Sequence, residues 1–309
     1  MKPRISICIP SYNYGRFVRC AINSCLAQTS EPYEIIVSDN CSTDGTGEIL
    51  TEFKDFPRVR LIRPPRHLEF AEHHRFVIGE ATGTHLVCLS ADDALHPEFI
   101  KVMTEKMMRT PELGLLACAS FQCNSRMRPF SVGGLRYPRG VLMPPQAFLR
   151  MIKGCCYLMS GAVWSAAALR AVPPLDNSGG LATDWYWALC VGSKFPVEFI
   201  HRPLCYYRFH DSNFSHSGVT RWQMQALSML ENLEGTADVS EGLRVKLKPQ
   251  IVKLRGIFDC DRKATGKARE RHHLAQECWD HIRGCNLCAK QTVKRMMLPL
   301  FGAHPSYLE

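Results

Sequence analysis

The sequence lacks any hydrophobic run long enough to cross a bilayer. Apolar residues make up 46% of its 309 positions, yet no segment approaches the ~18 to 20 consecutive apolar residues that a spanning helix needs. The amino-terminal segment "MKPRISICIPSY" meets Pro10 after only a few apolar residues, which is too short for the core of a secretion signal. We therefore expect a soluble, cytoplasmic protein that buries one large core.

Glycine-rich phosphate loops and paired zinc motifs are also missing. Neither G-x-G-x-x-G after the first apolar run nor G-x-x-x-x-G-K-[ST] occurs, so a phosphorylated ligand would have to be held by other groups, such as a metal ion. Cys285 and Cys288 form one C-x-x-C without a second pair, and the histidines at 67, 73 and 74 lack zinc-helix spacing. The 15 scattered cysteines favour free thiols in a reducing compartment.

Acidic residues are fewer than basic ones, and much of the excess positive charge lies in the C-terminal third of the chain. The net charge is +9, and from His216 onward fifteen Lys and Arg face ten Asp and Glu. A basic surface can indicate nucleic-acid binding, but this one lies away from the motif-rich first half, and no nucleic-acid module is recognisable. We expect no nucleic-acid partner.

Short β-branched runs alternate with segments of helical period through the first half of the chain. This alternation, with unbroken apolar strands, predicts an α/β fold in which a Rossmann-like, mostly parallel sheet is sandwiched by helices. The first five predicted strands are "RISICIPSY", "YEIIVSDN", "RVRLIR", "HLVCLS" and "LGLLACASF". A further strand, "VEFIHRPLCYYRF", precedes a change to charged helices, and we place a boundary near residue 216.

Polar side chains follow three of these strands, in "PSYN" (10–13), "SDNCSTDGT" (38–46) and "SADD" (90–93). Ligands of open α/β sheets bind beyond the carboxyl ends of the strands. Asp92 and Asp93, with Asp39 nearby, offer hard oxygens suited to a divalent cation that also binds a diphosphate. The alternative is that the pair caps the helix beginning near Pro97. Tyr12, as a stacking ring beside these carboxylates, favours the nucleotide-diphosphate interpretation.

Two stretches together resemble a known family. "ISICIPSYNYGRFVRCAINSCLAQTSEPYEIIVSDNCSTDGT" followed by "ATGTHLVCLSADDALHP" is similar to the inverting family 2 glycosyltransferases, which have the A-type nucleotide-diphospho-sugar transferase fold. The resemblance is close over residues 4–100 and looser over 140–215. It implies a catalytic domain over 1–215, with a donor half to about 120 and an acceptor half over 121–215. Residues beyond 216 are not covered by the resemblance, and their charged helical pattern predicts a C-terminal helical extension over 216–309.

The resemblance also implies the chemistry and its partners. The expected reaction is transfer of a sugar from a nucleotide diphosphate sugar, most commonly a uridine diphosphate sugar, to a saccharide or lipid-linked saccharide. Assembly of bacterial surface polysaccharide or glycolipid is a common setting for this reaction. The expected cofactor is a divalent cation, Mn²⁺ or Mg²⁺.

Residue roles follow position by position from the same resemblance. The family's D-x-D-D segment aligns with 90–93, so Ser90 stands where the family often has an acid, and "YYRFHDSNFS" resembles its R-x-H segment. The implied metal ligands are Asp92, Asp93 and His210. The implied donor-binding residues are Pro10, Tyr12, Asn13, Asp39, Asn40, Ser90, Ala91, Asp92 and Arg208.

The residues implied for catalysis and acceptor binding lie in the stretch "SGGLATDWYWAL". The family places its general base in an acidic pair at such a helix start, which implies Asp184 as the base, with Thr183 in place of the acidic neighbour. The alternative is that both residues only cap the helix. Trp185 and Trp187 are candidate acceptor-binding rings that could stack on sugars, although one of them is expected in the core.

Three alternatives remain open from sequence. A nucleotidyltransferase would need a basic glycine-rich loop that "PSYNYGRF" does not supply, and a catalytically silent nucleotide-sugar-binding homologue would account for the departures at Ser90 and Thr183. The C-terminal run "AKQTVKRMMLPLFGAH" is compatible with an interfacial helix, which would attach the protein to the cytoplasmic face of a membrane. The same run is equally compatible with packing on its own domain or on a second subunit of a homodimer.

Overall fold

The computed structural model describes residues 2–134, 136–155, 157–175, 180, 182–213, 219–236 and 239–263. The strands in these ranges are β1 (Ile5–Ser11), β2 (Glu34–Asp39), β3 (Val59–Ile62), β4 (His85–Cys88), β5 (Ala94–Leu95), β6 (Leu115–Cys123), β7 (Pro129–Gly133), β8 (Gly140–Leu142), β9 (Ala162–Ser165) and β10 (Val197–Arg208). The helices are α1 (Gly15–Leu26), α2 (Thr46–Thr51), α3 (Phe70–Glu80), α4 (Phe99–Arg109), α5 (Gln146–Met151), α6 (Ala166–Arg170), α7 (Thr183–Gly192), α8 (Val219–Gly235) and α9 (Glu241–Lys263). A short 3₁₀ turn spans Met159–Gly161.

All these strands belong to one sheet, whose main path runs β3-β2-β1-β4-β9-β6-β10-β5. The β3-β2-β1-β4 half is parallel, so the carboxyl ends of β1, β2 and β4 meet at one edge. Strand β9 lies antiparallel between β4 and β6, and β10 returns parallel to β6. Strands β7 and β8 pair outside this path with β6 and β10.

Alternating side chains of the central strands separate the core into two layers. Ile7 and Ile9 of β1 pack with α1 and α4 on one face, whereas Cys8 between them packs with the opposite layer of α3, α5 and α7. Because successive strand residues point to opposite faces, a strand covered by helices on both sides must be apolar at every position. This requirement explains the unbroken apolar runs of the sequence.

The predicted α/β sandwich is confirmed, and its first five predicted strands correspond to β1, β2, β3, β4 and β6. Strand β9 was not predicted, because "SGAVWSAAALRAV" is rich in small residues without a clear period of two. Its insertion makes the sheet mixed rather than wholly parallel. The ten cysteines whose side chains are described are free thiols, as expected.

Helices α8 and α9 pack against each other and continue the core of the sheet domain. Leu230 of α8 and Leu247 of α9 belong to the same buried cluster as Trp187 of α7. The predicted helical character beyond residue 216 is therefore confirmed up to Lys263. Cys285, Cys288 and the run at 289–304 lie outside the described residues. Within the described ranges, no helix has the length and apolar character that a bilayer crossing needs.

Candidate active site

A cleft of about 500 Å³ opens where β1, β2 and β4 end. Its volume lies within the range of sites for small-molecule ligands. Nine of the residues predicted from the sequence line it, namely Pro10, Tyr12, Asn13, Asn40, Ser90, Ala91, Asp92, Asp93 and Asp184. The expectation that the polar strand ends share one edge is thus met, and the start of α7 closes the same cleft from another side.

Asp92 is the carboxylate around which this site is organised. Its Oδ2 accepts hydrogen bonds from Nε2 of His210 at 3.0 Å and from Nδ2 of Asn213 at 3.2 Å. The backbone N–H of His210 in turn donates to Oδ1 of Asn213 at 2.6 Å, which fixes the amide orientation. The loop after β10 therefore brings two side chains to a carboxylate more than a hundred positions earlier in the chain.

Asp93 lines the cleft beside Asp92, and both of its carboxylate oxygens accept hydrogen bonds from protein donors. Its Oδ2 accepts from the Ser160 hydroxyl at 2.6 Å and its Oδ1 from the backbone N–H of Arg208 at 3.1 Å. Burial, followed by the charge of Asp92, raises the pKa of Asp93 well above its usual range. Each of its oxygens already accepts one protein donor, and the role of Asp93 as a metal ligand stays a prediction.

Arg208 supports the same strand end from behind the cleft. Its Nε donates to the backbone oxygen of Asp92 at 2.7 Å, its Nη1 donates to the oxygen of Ser125 at 2.9 Å, and the guanidinium lies 4.9 Å from the centre of the Phe17 ring. The side chain is buried and does not line the cleft. The predicted donor contact of Arg208 is corrected accordingly, since its guanidinium holds the Asp92–Asp93 turn.

The loop after β2 is tied to the end of β1. Asn13 adopts a left-handed conformation, with φ 55°, which asparagine tolerates better than most residues. Its backbone N–H donates to Oγ of Ser42 at 2.9 Å, and its Oδ1 accepts from the N–H of Thr43 at 2.8 Å. Asn13 thus joins the two loops as well as lining the cleft.

Asp39 and Asn40, at the end of β2, make mostly internal contacts. Oδ1 of Asp39 accepts from the N–H of Ser42 at 3.0 Å, and its Oδ2 lies 3.4 Å from Nη1 of Arg63. The Asn40 amide exchanges two hydrogen bonds with the backbone of Leu68, each at 2.8 Å. Asp39 lies just behind the cleft lining, and the Asn40 amide is committed to holding the loop at 66–69.

That loop carries a residue which the sequence motifs did not identify. His67 lies with its ring centre 4.3 Å from that of Tyr12, and its Nδ1 is 3.1 Å from the backbone oxygen of Asn40. Tyr12 is 43% exposed, so the two rings offer an accessible aromatic wall. The position of His67 after β3, at the ligand-binding edge, was the available signal. Ser160 and Asn213 gave none, because only the folded chain brings them to Asp92 and Asp93.

Asp184 occupies the first turn of α7 and faces the cleft. Its Oδ1 accepts from the N–H of Trp185 at 2.8 Å, and the hydroxyl of Tyr157 donates to its backbone oxygen at 2.6 Å. The thiol of Cys155 lies 3.7 Å from its Oδ2. The carboxylate is therefore held by its own helix start while remaining part of the cleft lining.

The predicted acceptor-stacking rings are buried. Trp185 is 1% and Trp187 2% exposed; the indole N–H of Trp185 donates to the oxygen of Met151 at 2.7 Å, and Trp187 packs edge-on against Trp164. A helix that is apolar on every side is a core helix, and α7 is of this kind after its first turn. The prediction that either ring binds the acceptor is therefore wrong.

Two buried histidines in the cleft wall make stability depend on pH. Burial lowers the pKa of His73 to about 3 and that of His74 to about 4. Both are neutral in the folded chain near neutrality, and the unfolded chain takes up their protons below about pH 6.5. Stability is therefore lost as the pH falls, with a slope approaching two protons, or about 2.7 kcal/mol per pH unit, for this pair.

We expect His73→Gln to remove about half of that slope. Urea unfolding of both proteins at about pH 7.5 and about pH 5.5 measures it. The comparison between variant and parent separates His73 from Asp93, whose raised pKa stabilises the folded chain at low pH. An equal loss of stability in both proteins would contradict the prediction.

The site fits a divalent cation through a small donor set. Oδ2 of Asp92 and Nε2 of His210 lie 3.0 Å apart, and Mg²⁺ or Mn²⁺ commonly combines few protein ligands with phosphate oxygens. Among the described residues, no group of three or more His, Cys, Asp or Glu side chains forms a self-sufficient metal site. A cation here would need ligands from a bound phosphorylated molecule.

Sequence comparison places the chain among known proteins. The model of the family described as "Glycosyl transferase family 2" matches residues 6–151. An uncharacterized glycosyltransferase of Nostoc sp. is 24% identical over 237 residues, which are 75% of this chain and 73% of that protein. The succinoglycan biosynthesis protein ExoO of Rhizobium meliloti is 33% identical over 104 residues, which are 34% of this chain and 30% of ExoO.

Structural comparison confirms the expected A-type fold. The crystal structure of S. aureus TarS 1-349 in complex with UDP-GlcNAc has a TM-score of 0.64 at 14% identity, and the match covers 87% of this chain and 77% of that one. The mannosyltransferase PcManGT from Pyrobaculum calidifontis, in complex with GDP-Man and Mn²⁺, has a TM-score of 0.57 at 15% identity over 100% of this chain and 85% of that one.

Proposed function

The chain belongs to glycosyl transferase family 2, and from that premise we propose that it is an inverting, divalent-cation-dependent glycosyltransferase. Its donor would be a nucleotide diphosphate sugar, with a uridine diphosphate sugar as the first expectation because TarS binds UDP-GlcNAc. Its acceptor would be a hydroxyl of a saccharide or lipid-linked saccharide. The relative ExoO, a succinoglycan biosynthesis protein, supports a role in surface polysaccharide assembly.

One observation carries the proposal. Asp92, with His210 behind it, and Asp184 line a single cleft although they lie far apart in the sequence. A capping role for each acid separately would not require them to face the same space. The division into a catalytic domain over 1–215 and an extension over 216–309 is part of the proposal.

The donor would lie along the ends of β1 and β4. Tyr12 and His67 form the accessible aromatic wall at one end of the cleft, where a nucleobase could stack. Asp39 is proposed to read the base edge from behind this wall. Asp92, supported by His210, would hold the cation, and a bound cation would neutralise charge on the departing diphosphate.

Asp184 would act as the general base. The acceptor oxygen forms a bond to the anomeric carbon as the bond from that carbon to the diphosphate oxygen breaks, and the hydroxyl proton passes to a carboxylate oxygen of Asp184. Attack in line with the leaving group inverts the configuration at the anomeric carbon.

Nucleotide binding tests the proposal directly. We expect uridine diphosphate, at about a hundredfold excess over its Kd and with Mn²⁺, to stabilise the protein by about 2.7 kcal/mol. A protein of this size should then melt several degrees higher. Adenosine, guanosine, cytidine and thymidine diphosphates, each with and without Mn²⁺, complete the panel. No stabilisation by any of them would refute the proposed function.

A further inference from the structure

Helix α9 carries a second apolar stripe that faces solvent. One side of the helix is buried, through Leu243, Leu247, Ile251 and Leu254. At about 100° per residue, the positions opposite this side are Val245, Pro249, Val252 and Gly256, and all four are exposed. Val245 is 53% and Val252 66% exposed, which is unusual for two β-branched apolar residues on one helix. We call these four residues the α9 ridge.

Basic side chains border the α9 ridge on both sides. Lys246 and Lys253, seven residues apart, form one border, and Lys248 and Arg255 form the other. Lys248 lies 3.9 Å from Glu234, and Arg255 pairs with Glu231, so α8 partly neutralises the second border. Within the described part of the chain, no ion pair involves Lys246 or Lys253, and the helix has no acidic residue between Glu241 and Asp259.

We propose that α9 docks the protein on an anionic lipid bilayer, with the α9 ridge at the membrane interface and the lysines directed to lipid headgroups. An exposed apolar stripe between basic borders has the charge and the amphipathic pattern of an interfacial helix. Lysine stems lie along apolar surface while their charged ends reach the anionic groups. This inference does not depend on the proposed transferase activity, because no residue of the α9 ridge lines the cleft.

The composition of the α9 ridge also indicates its depth. Pro249 has no backbone N–H, so the carbonyl of Val245 lacks its usual helical donor. An unpaired carbonyl is costly in hydrocarbon but not at hydrated headgroups. The α9 ridge should therefore lie at headgroup level, and binding should depend strongly on lipid charge. A nucleic acid backbone would pair with the charges of the lysines but would offer no apolar contact to the exposed valines.

The full chain should sediment with vesicles made of equal parts phosphatidylcholine and phosphatidylglycerol, and far less with phosphatidylcholine alone. Lys246→Gln with Lys253→Gln should weaken binding to the anionic vesicles on the order of 25-fold, about fivefold per lysine. Val245→Ser with Val252→Ser should weaken it several-fold. All four side chains are exposed, so circular dichroism should show intact folding in both double variants.

A matched control separates α9 from general positive charge. Lys54→Gln with Lys101→Gln removes the same charge from exposed positions of the sheet domain and should leave vesicle binding unchanged. Equal binding by the α9 lysine variant and this control would overturn the proposal, as would a wild-type chain that ignores anionic vesicles. A wild-type dimer that Val245→Ser with Val252→Ser dissociates, without vesicle binding, would instead assign the α9 ridge to a second copy of the chain.

Discussion

Asp184→Asn is expected to lower kcat by about 10²- to 10⁴-fold, the usual contribution of a positioned general base. The amide oxygen can still accept the N–H of Trp185, which Asp184 Oδ1 accepts at 2.8 Å, so the start of α7 should keep its structure. An amide, however, cannot take the proton of the acceptor hydroxyl. The affinity for the donor nucleotide should stay close to that of the parent, because the residues proposed to bind the nucleotide are other side chains of the cleft.

Steady-state transfer kinetics, with nucleotide affinity measured in parallel, distinguish this role from helix capping. Asparagine is itself a good capping residue, so a cap predicts unchanged kcat and unchanged stability. Near-parental turnover by Asp184→Asn would therefore remove the residue from the mechanism.

Asp92→Asn should abolish the gain in nucleotide affinity that Mn²⁺ gives, with a loss on the order of 100-fold. Asp92 Oδ2 accepts from both His210 and Asn213, and an amide oxygen in its place carries no charge to attract a divalent cation. A 100-fold loss corresponds to ~2.7 kcal/mol of binding free energy. Calorimetric titration of uridine diphosphate with and without Mn²⁺ measures the effect separately from turnover.

Asp211→Asn is the matched control for this variant. Asp211 lies in the same loop after β10 but is exposed, so its replacement removes an equal charge without touching the Asp92 cluster. We expect it to leave the Mn²⁺ dependence intact. A parental response to Mn²⁺ in Asp92→Asn would show that the cation, if bound, is held elsewhere.

The strand ends were predictable because the pattern that specifies them lies within a few consecutive residues. An apolar run followed by polar residues indicates both a strand and its carboxyl end. Parallel pairing of the strands then brings Tyr12, Asn40 and Asp92 to one edge of the sheet. The prediction that Trp185 and Trp187 bind the acceptor was wrong for a related reason. Their helix is apolar in every direction, so periodicity could not tell a cleft-facing position from a core position.

The different hydrogen-bond partners of the neighbouring acids Asp92 and Asp93 could not be predicted from the sequence. Asp92 and Asp93 differ by one position, yet one meets His210 and the other meets Ser160. These partners lie 118 and 67 residues away along the chain, and no pattern within either segment encodes the pairing. The same holds for strand β9, whose place between β4 and β6 depends on strands that are distant in the sequence.

The contacts of the loop after β10 set an order in which the site can be completed during synthesis. The carboxylates at 92 and 93 leave the ribosome long before Arg208, His210 and Asn213, which supply the bonds to the Asp92 backbone and side chain. A nascent chain that has reached residue 151, the end of the family match, contains both acids and none of these three partners. The sheet edge at Asp92 and Asp93 is therefore translated early and finished late, when β10 pairs with β6.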